Sequence, residues 1–335
     1  MEFTIGGRLE VRITPADVGK RVSVRCLVGA SGEGSKFTDT VGVLTSWDDG
    51  MLSVTTKRGD RVRVAESALV AGKVVPPAPA RRRGPAASFQ ELALVTARAW
   101  PPVESELLGD WQLRAAGGFT RRANSVLPLG DPGLPLGEAL QRVRRWYGER
   151  GLPALVQAST GAEGTQERLC AGLEEHGWRR EVTAEVRIAA LAPIGDLDAD
   201  ISAVRTARGT DASWLARYQR SATPGPEVLK VLAGGPSVWF ASVPGDDPAG
   251  VPAAIGRCVV DGRWAGFMAV EVSPEYRRRG LATAVMTALA RTALDEGASA
   301  AWLQVEADNE GARALYDGMG FATHHHYHHF RYAQR

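Results

Sequence analysis

The stretch Phe267–Ala290 most constrains the fold of this chain, because an apolar strand pattern passes through one short turn directly into an apolar helix pattern. The turn carries Arg277-x-x-Gly280-x-Ala282. At a helix start the backbone N–H groups have no intrahelical acceptor and the helix dipole is positive, so such a turn binds phosphate. Gly280 lets the backbone approach an anion closely, and the small side chain of Ala282 leaves room for that anion. The segment predicts a pyrophosphate site, and the alternative is an ordinary helix start with exposed arginines.

A second stretch, Ala301–Phe321, has the same strand-to-helix order. Its strand pattern is followed by Asn309, a helix pattern and then Gly320-Phe321, which opens a last strand. The helix carries Ala312, Leu315 and Tyr316. Two strand-to-helix units in succession predict an α/β domain.

Together the two stretches resemble the GNAT family of acetyl-CoA-dependent N-acetyltransferases. The family's R/Q-x-x-G-x-G/A turn corresponds to Arg277–Ala282, and its N-x-x-A-x-x-L-Y-x-x-x-G-F pattern corresponds to Asn309–Phe321. Both motifs occur in the family's order, and the resemblance covers residues 200–335. It implies a mixed-sheet GNAT fold, acetyl-CoA as cosubstrate, no metal, and transfer of the acetyl group to an amine.

The resemblance also implies roles for individual residues. The backbone of Val270 and Val272 would hold the pantetheine arm and the acetyl group, and Asn309 would hold the pantetheine amide. The pyrophosphate would lie against the N–H groups of Arg278, Arg279, Gly280, Leu281, Ala282 and Thr283. Arg277 and its two neighbours would add positive charge near the phosphates, or be partly solvated.

Catalysis requires a neutral amine, since an ammonium has no lone pair. Neutralising a lysine at pH 7 costs about 4.6 kcal/mol, against about 1 kcal/mol for an α-amine. The resemblance implies Tyr316 as the acid that protonates the departing thiolate. For the base we expect Glu271. Glu306, a C-terminal histidine and water remain alternatives, because Gln304, which cannot take a proton at neutral pH, stands where some relatives carry a glutamate.

Residues 89–190 repeat the alternation of helices and strands in a weaker form. The sequence Glu175–Trp178 echoes Gly318–Phe321, but Leu173 replaces the tyrosine and no R-x-x-G-x-A turn precedes its helix. We therefore expect a degenerate GNAT-like half at 89–190, with a structural or substrate-shaping role, before a catalytic GNAT domain at 200–335.

Residues 1–75 lack helix patterns and show short strand patterns separated by turn residues. Val22, Val24 and Cys26 alternate with polar residues, the period of a strand with one buried face. Asp49-Gly50 and Arg58–Asp60 are hairpin signals. We predict a small all-β SH3-like barrel at 1–75, joined by a Pro- and Arg-rich linker at 76–88.

Charge leaves the partner undecided. Residues 1–83 contain 14 Lys/Arg against 9 Asp/Glu, which permits nucleic acid as a partner but also fits solvated strands and a linker. A tandem GNAT behind a β-barrel resembles actinobacterial acetyltransferases, some described as histone-type, which favours a protein lysine or N-terminus. The tandem layout also resembles mycothiol synthase, which acetylates a small amine. A non-catalytic acyl-CoA-binding regulator is the further alternative.

The remaining signals are negative or weak. No apolar run reaches the ~18 residues of a membrane span and the start of the chain has no signal pattern, so we expect a cytoplasmic protein with no membrane partner. Cys26, Cys170 and Cys258 are expected to be small buried residues. On strand alternation, His324, His326 and His328 could meet one ion, an interpretation we weigh against purely structural histidines.

Overall fold

A computed structural model describes residues 10–28, 36–76, 84–218, 225–246 and 250–332. The basic triplet at 81–83 and most of the expected linker lie outside these residues, as does the end of the helix expected at 211–220.

The N-terminal unit is a five-stranded antiparallel sheet in the order β4-β3-β2-β1-β5. Its strands are β1 (Arg21–Val28), β2 (Lys36–Asp48), β3 (Met51–Thr56), β4 (Arg61–Ala65) and β5 (Leu69–Val74). Val22, Val24 and Cys26 are buried, as their alternation predicts. Asp49 and Gly50 both have positive φ and form the predicted two-residue hairpin between β2 and β3. Among the described strands, β4 and β5 do not pair with each other, so the expected barrel is an open sheet.

The first α/β half follows. In chain order it consists of α1 (Phe89–Arg98), β6 (Glu104–Leu108), β7 (Trp111–Ala115), β8 (Leu127–Pro128), α2 (Leu136–Gly148), β9 (Leu155–Thr160), α3 (Glu167–Glu175) and β10 (Trp178–Ala190). Ser88 caps α1 by accepting a hydrogen bond from the Glu91 amide at 3.1 Å. Sequence reasoning missed β6, whose sequence Glu-Ser-Glu-Leu-Leu is largely exposed.

The second half repeats this plan with more elements. They are α4 (Ala192–Gly195), β11 (Arg205–Ala207), α5 (Ala212–Arg217), α6 (Pro226–Ala233), β12 (Ser237–Val243), β13 (Ala254–Asp261), β14 (Trp264–Val272), α7 (Leu281–Asp295), β15 (Ala300–Glu306), α8 (Glu310–Gly318) and β16 (Ala322–Tyr332). The short helix α4 lies between the two halves. The two related halves confirm the prediction of two tandem copies.

The halves exchange strands. The large sheet has the order β11-β12-β13-β14-β15-β10-β16-β9, so β10 of the first half lies between β15 and β16 of the second. In turn, β16 lies between β10 and β9 of the first half. Each half thus completes its sheet with a strand of the other, which makes the two halves one folding unit.

Helices cover both faces of this sheet. On one face, α7 and α4 pack over a core that includes Val285, Met286 and Leu289. On the other, α1, α5 and α6 pack over a second core that includes Leu92, Trp214 and Val231. The open sheet of the N-terminal unit contacts the first half, where Arg61 pairs with Glu175 at 3.0 Å. No helix in the described ranges combines the length and the apolar character needed to cross a membrane.

Candidate active site

The predicted phosphate turn lies between β14 and α7. Arg278 and Gly280 both adopt positive φ, at 64° and 77°, so the chain turns sharply and Gly280 becomes the N-cap of α7. The first hydrogen bond of α7 runs from the Ala284 N–H to the Gly280 carbonyl, at 2.9 Å. Helix geometry therefore leaves the N–H groups of Leu281, Ala282 and Thr283 without an intrahelical acceptor. This arrangement is a ready anion site.

The three arginines of the turn are exposed. Arg279 donates to the Glu275 carbonyl at 3.1 Å and lies 5.1 Å from the centre of the Tyr276 ring. Because their charges lie at the surface beside the helix start, they attract an anion to it from solvent. Direct contacts of these side chains with phosphate stay a prediction.

Strands β14 and β15 separate before β14 ends. They pair in parallel from Trp264 with Ala300 to Phe267 with Leu303, and no pair follows in the described strands although both continue. At the same level the pairing of β14 with β13 shifts register, and Ala269 has a φ of 52°. This bulge bends the end of β14 away from β15. The result is a cleft lined by free strand edges, as expected for a ligand that pairs with backbone.

A cavity of about 110 Å³ fills this cleft. Its walls bring together most of the residues that sequence reasoning selected for chemistry: Val270, Glu271, Gln304, Glu306, Asn309 and Tyr316. Glu271 extends from the end of β14, and Tyr316 comes from α8 on the opposite wall, beside Phe321 at a ring distance of 5.9 Å. Both candidate carboxylates and the candidate acid therefore face one space. Their roles in a reaction stay predictions.

Three polar atoms in this cavity are buried without a hydrogen-bond partner among the described residues: Trp100 Nε1, Trp302 Nε1 and Gln304 Oε1. Buried polar groups in proteins are almost always paired, so unpaired ones on a cavity wall indicate a ligand or ordered water. These three atoms give the lining of this cavity a polar character.

Asn309 has a structural role that its sequence position did not reveal. Its side-chain oxygen accepts a hydrogen bond from the Ala312 amide at 3.1 Å and caps α8. This contact orients the helix that carries Tyr316. The predicted contact with the pantetheine amide would have to use the side-chain NH₂.

Sequence reasoning missed Arg257 on β13, which does not line the cavity but supports its wall residue Trp100 from a distance of 5.2 Å. It is completely buried, and its guanidinium donates to the carbonyls of Leu232 at 2.7 Å, Gly234 at 2.7 Å and Ala99 at 3.0 Å. Burial lowers its pKa to about 10. It joins the ends of α6 and α1 beneath the cavity, under Trp100. A lone arginine in the apolar run of β13 was the available signal.

The matching cleft of the first half is closed. Val126, directly before β8, forms one parallel bridge with Val156 of β9. Beyond it the Gln166 side chain accepts from the Ser159 amide at 3.0 Å and donates to the Pro128 carbonyl, so it bridges the gap between the strands. Helix α2 also starts at Pro135 without the phosphate turn. These contacts explain physically why a coenzyme is expected only in the second half.

The histidines of β16 do not form the alternating trio considered above. The pairing of β16 with β10 shifts register at His324, whose Nδ1 lies 2.9 Å from His325 Nδ1. His328 instead lies between the hydroxyls of Thr160 and Thr183, each at 2.9 Å, and burial lowers its pKa to about 3. The described residues contain no group of three or more His, Cys, Asp or Glu side chains that could hold a metal ion.

The three cysteines are buried and free, as predicted.

Comparisons with known proteins agree with this geometry. Residues 86–333 match the family described as probable histone acetyltransferase Rv0428c, C-terminal, and residues 16–73 match the Rv0428c N-terminal Sm-like domain, so the family description of the all-β unit is Sm-like. The chain is 27% identical over 315 residues to the probable histone acetyltransferase Rv0428c of Mycobacterium tuberculosis, covering 92% of this chain and 93% of the relative.

Two solved structures share the fold. A GCN5-related N-acetyltransferase from Kribbella flavida aligns with a TM-score of 0.53 at 15% identity, over 73% of this chain and 96% of that one. A tandem GNAT protein from the clavulanic acid biosynthesis pathway aligns with a TM-score of 0.53 at 12% identity, over 76% and 91%. At these identities the likeness concerns the fold.

Proposed function

This chain belongs to the GNAT N-acetyltransferases of the Rv0428c type, and we propose that it transfers an acetyl group from acetyl-CoA to a primary amine by direct attack in a ternary complex. The observation that carries the proposal is the parting of β14 and β15 after Phe267 and Leu303, on the strand that leads into the left-handed turn at Gly280. An extended pantetheine arm needs free strand backbone, and a pyrophosphate needs free helix amides. The end of β14 and the turn that follows it offer both.

The residues that would hold acetyl-CoA follow from this arrangement. The amides from Arg278 to Thr283 would receive the pyrophosphate, with Arg277 and Arg279 adding charge at the rim. The backbone of Val270 and Val272 would pair with the arm. When bound, the coenzyme supplies an activated acetyl thioester.

The chain's own residues then handle two protons. Glu271, at the end of β14, takes a proton from the incoming ammonium so that its lone pair can attack the acetyl carbon. As the carbon–sulfur bond breaks, the Tyr316 hydroxyl protonates the thiolate, whose basicity is close to that of a cysteine near pKa 8.5, and the second proton that the nitrogen loses as the amide forms restores the hydroxyl. Amide and free coenzyme A are the products.

The test is to incubate the protein with acetyl-CoA and a library of amines and to follow free thiol. We expect sustained release that depends on the amine. Tyr316→Phe should lower the rate about 100-fold, while calorimetry shows unchanged acetyl-CoA binding. Tight binding with no release from any amine would instead favour an acyl-CoA-binding regulator, and no binding heat would contradict the proposal.

The M. tuberculosis relative is named a probable histone acetyltransferase, so a protein amine such as a lysine is one candidate acceptor for this chain. Because lysine is costly to deprotonate, that acceptor would place the greater demand on Glu271. A nucleic-acid partner for the basic N-terminal unit stays a prediction from charge.

A further inference from the structure

A second cavity, of about 150 Å³, adjoins the acyl cavity. The two share Arg122, Tyr218 and Glu306 in their walls. The rest of the second cavity is built mainly by the first half and β16, through residues that include Phe119, Tyr327 and His329. The half whose own coenzyme cleft is closed therefore forms a wall beside the cleft of the other half.

Arg122 lies at the junction of the two cavities. Its Nε donates to the Tyr327 hydroxyl at 3.0 Å, and its guanidinium carbon lies 5.7 Å from the centre of the Trp100 ring. It is half-buried, and no carboxylate of the described residues forms an ion pair with it. The neighbouring Arg121, by contrast, pairs with Glu181 at 3.6 Å. A partly desolvated guanidinium with an unpaired fork of donors is suited to an anion, and a carboxylate matches that fork.

The turn that carries Arg122 is held rigidly. Thr120 has a φ of 53°, an uncommon conformation for a threonine. The Asn124 side chain fixes the turn from inside, because its oxygen accepts from the amides of Ala116 and Gly118 and its NH₂ donates to the carbonyls of Phe119 and Thr120. Strained, over-determined turns of this kind occur at ligand-binding positions.

His329 adds a polar side chain to the lining of the second cavity. It is 2% exposed, and neither ring nitrogen has a hydrogen-bond partner among the described residues. A neutral imidazole has one donor and one acceptor. This wall of the cavity is therefore polar, which fits a polar ligand better than an apolar one.

We infer that this second cavity binds the acceptor, and that the acceptor is a compact primary amine carrying a carboxylate that Arg122 holds at the junction. The inference rests on the proposed function, because the amine is then directed into the acyl cavity, towards Glu271. Each cavity is below the roughly 300 Å³ at which pockets for drug-sized ligands begin. That size favours a small molecule over a folded protein surface.

The experiment compares linear amino acids with their carboxamides, at amine-to-acid spacings of one to four carbons and at equal concentrations of free base. For at least one spacing, we expect kcat/KM for the acid to exceed that for the amide at least tenfold. Arg122→Gln should reduce this preference to within twofold, and Arg122→Lys should retain part of it. Arg142→Gln is the matched control, since it removes an exposed arginine that pairs with Glu106 on the surface of the first half.

Calorimetry with acetyl-CoA separates the possible failures. Binding and thiol release without any preference for acids, or a preference that survives Arg122→Gln, overturns the inference alone. A lysine peptide with a higher kcat/KM than every small acid also overturns it. Absence of both acetyl-CoA binding and thiol release overturns the proposed function and the inference together.

Discussion

Arg187 on β10 donates a hydrogen bond to the carboxylate of Asp317 on α8 at 2.6 Å. Asp317 directly follows Tyr316 in the chain. The exchanged strand of the first half therefore anchors the helix that carries the candidate acid of the second. Arg187 is 5% exposed and also pairs with Glu185, 6% exposed, at 3.0 Å. The ion pairs are part of the joint between the halves.

We expect Arg187→Met to lower the free energy of unfolding by about 3 kcal/mol, because it leaves the Glu185 charge buried with one fewer partner. Urea denaturation at pH 7 measures this. Arg25→Met is the control, since Arg25 pairs with Asp39 on an exposed surface and its loss should not move the midpoint. Equal shifts in the two variants would contradict the role of burial.

Gly280→Ala tests the left-handed turn. A Cβ at this position meets no atom within 4 Å, so the cost is backbone strain alone, about 1–2 kcal/mol. A turn that relaxes must return to the left-handed conformation on binding, so the Kd for coenzyme A should rise about tenfold. Gly50→Ala is matched, because Gly50 also has a positive φ and open space but lies in the β2–β3 hairpin. It should lose similar stability with unchanged Kd, and equal losses of affinity would exclude a specific role for Gly280.

Glu271→Gln and Glu306→Gln distinguish the two candidate bases, since both carboxylates line the acyl cavity. We expect Glu271→Gln to lower kcat/KM about 100-fold and to remove the acid limb of its pH profile. Glu306→Gln should keep that limb. The reverse result would identify Glu306, at the end of β15, as the base.

Stability should fall with decreasing pH because of His328. Its pKa is about 3 in the folded chain, against 6.5 for an unperturbed histidine, since burial disfavours the charged form. Its stabilising effect is complete above pH 6.5 and is lost as the pH falls from 6.5 towards 3, because only the unfolded state takes up the proton there. His328 alone contributes a slope of up to about 1.4 kcal/mol per pH unit.

The measurement is the free energy of unfolding in urea at pH 4.5, 5.5 and 6.5. In His328→Gln the free energy of unfolding should depend less steeply on pH, because unfolding then takes up about one proton fewer. His324→Gln serves as the control, since His324 is half-buried. An unchanged slope in His328→Gln would show that the histidine keeps its proton in the folded chain.

The local elements could be read from the sequence to a large extent. The hairpin at Asp49-Gly50 and the strands at 237–243 and 322–332 follow from turn chemistry and period, because these signals act over a few neighbouring residues. The strand β6 could not be read, since its charged residues lie on an exposed edge where packing imposes no pattern.

By itself, the sequence determined the turn at Gly280 and the helix that follows it, because a strand, a glycine and an apolar helix face specify their geometry locally. It also determined the two-copy plan through repeated element order. Only the tertiary structure decided that β10 and β16 change places between the halves and that Arg122 of one half reaches the cleft of the other. The pairing of these strands and the contact of Arg122 with Tyr327 depend on partners more than 100 residues away in the chain, and no local pattern encodes such a distance.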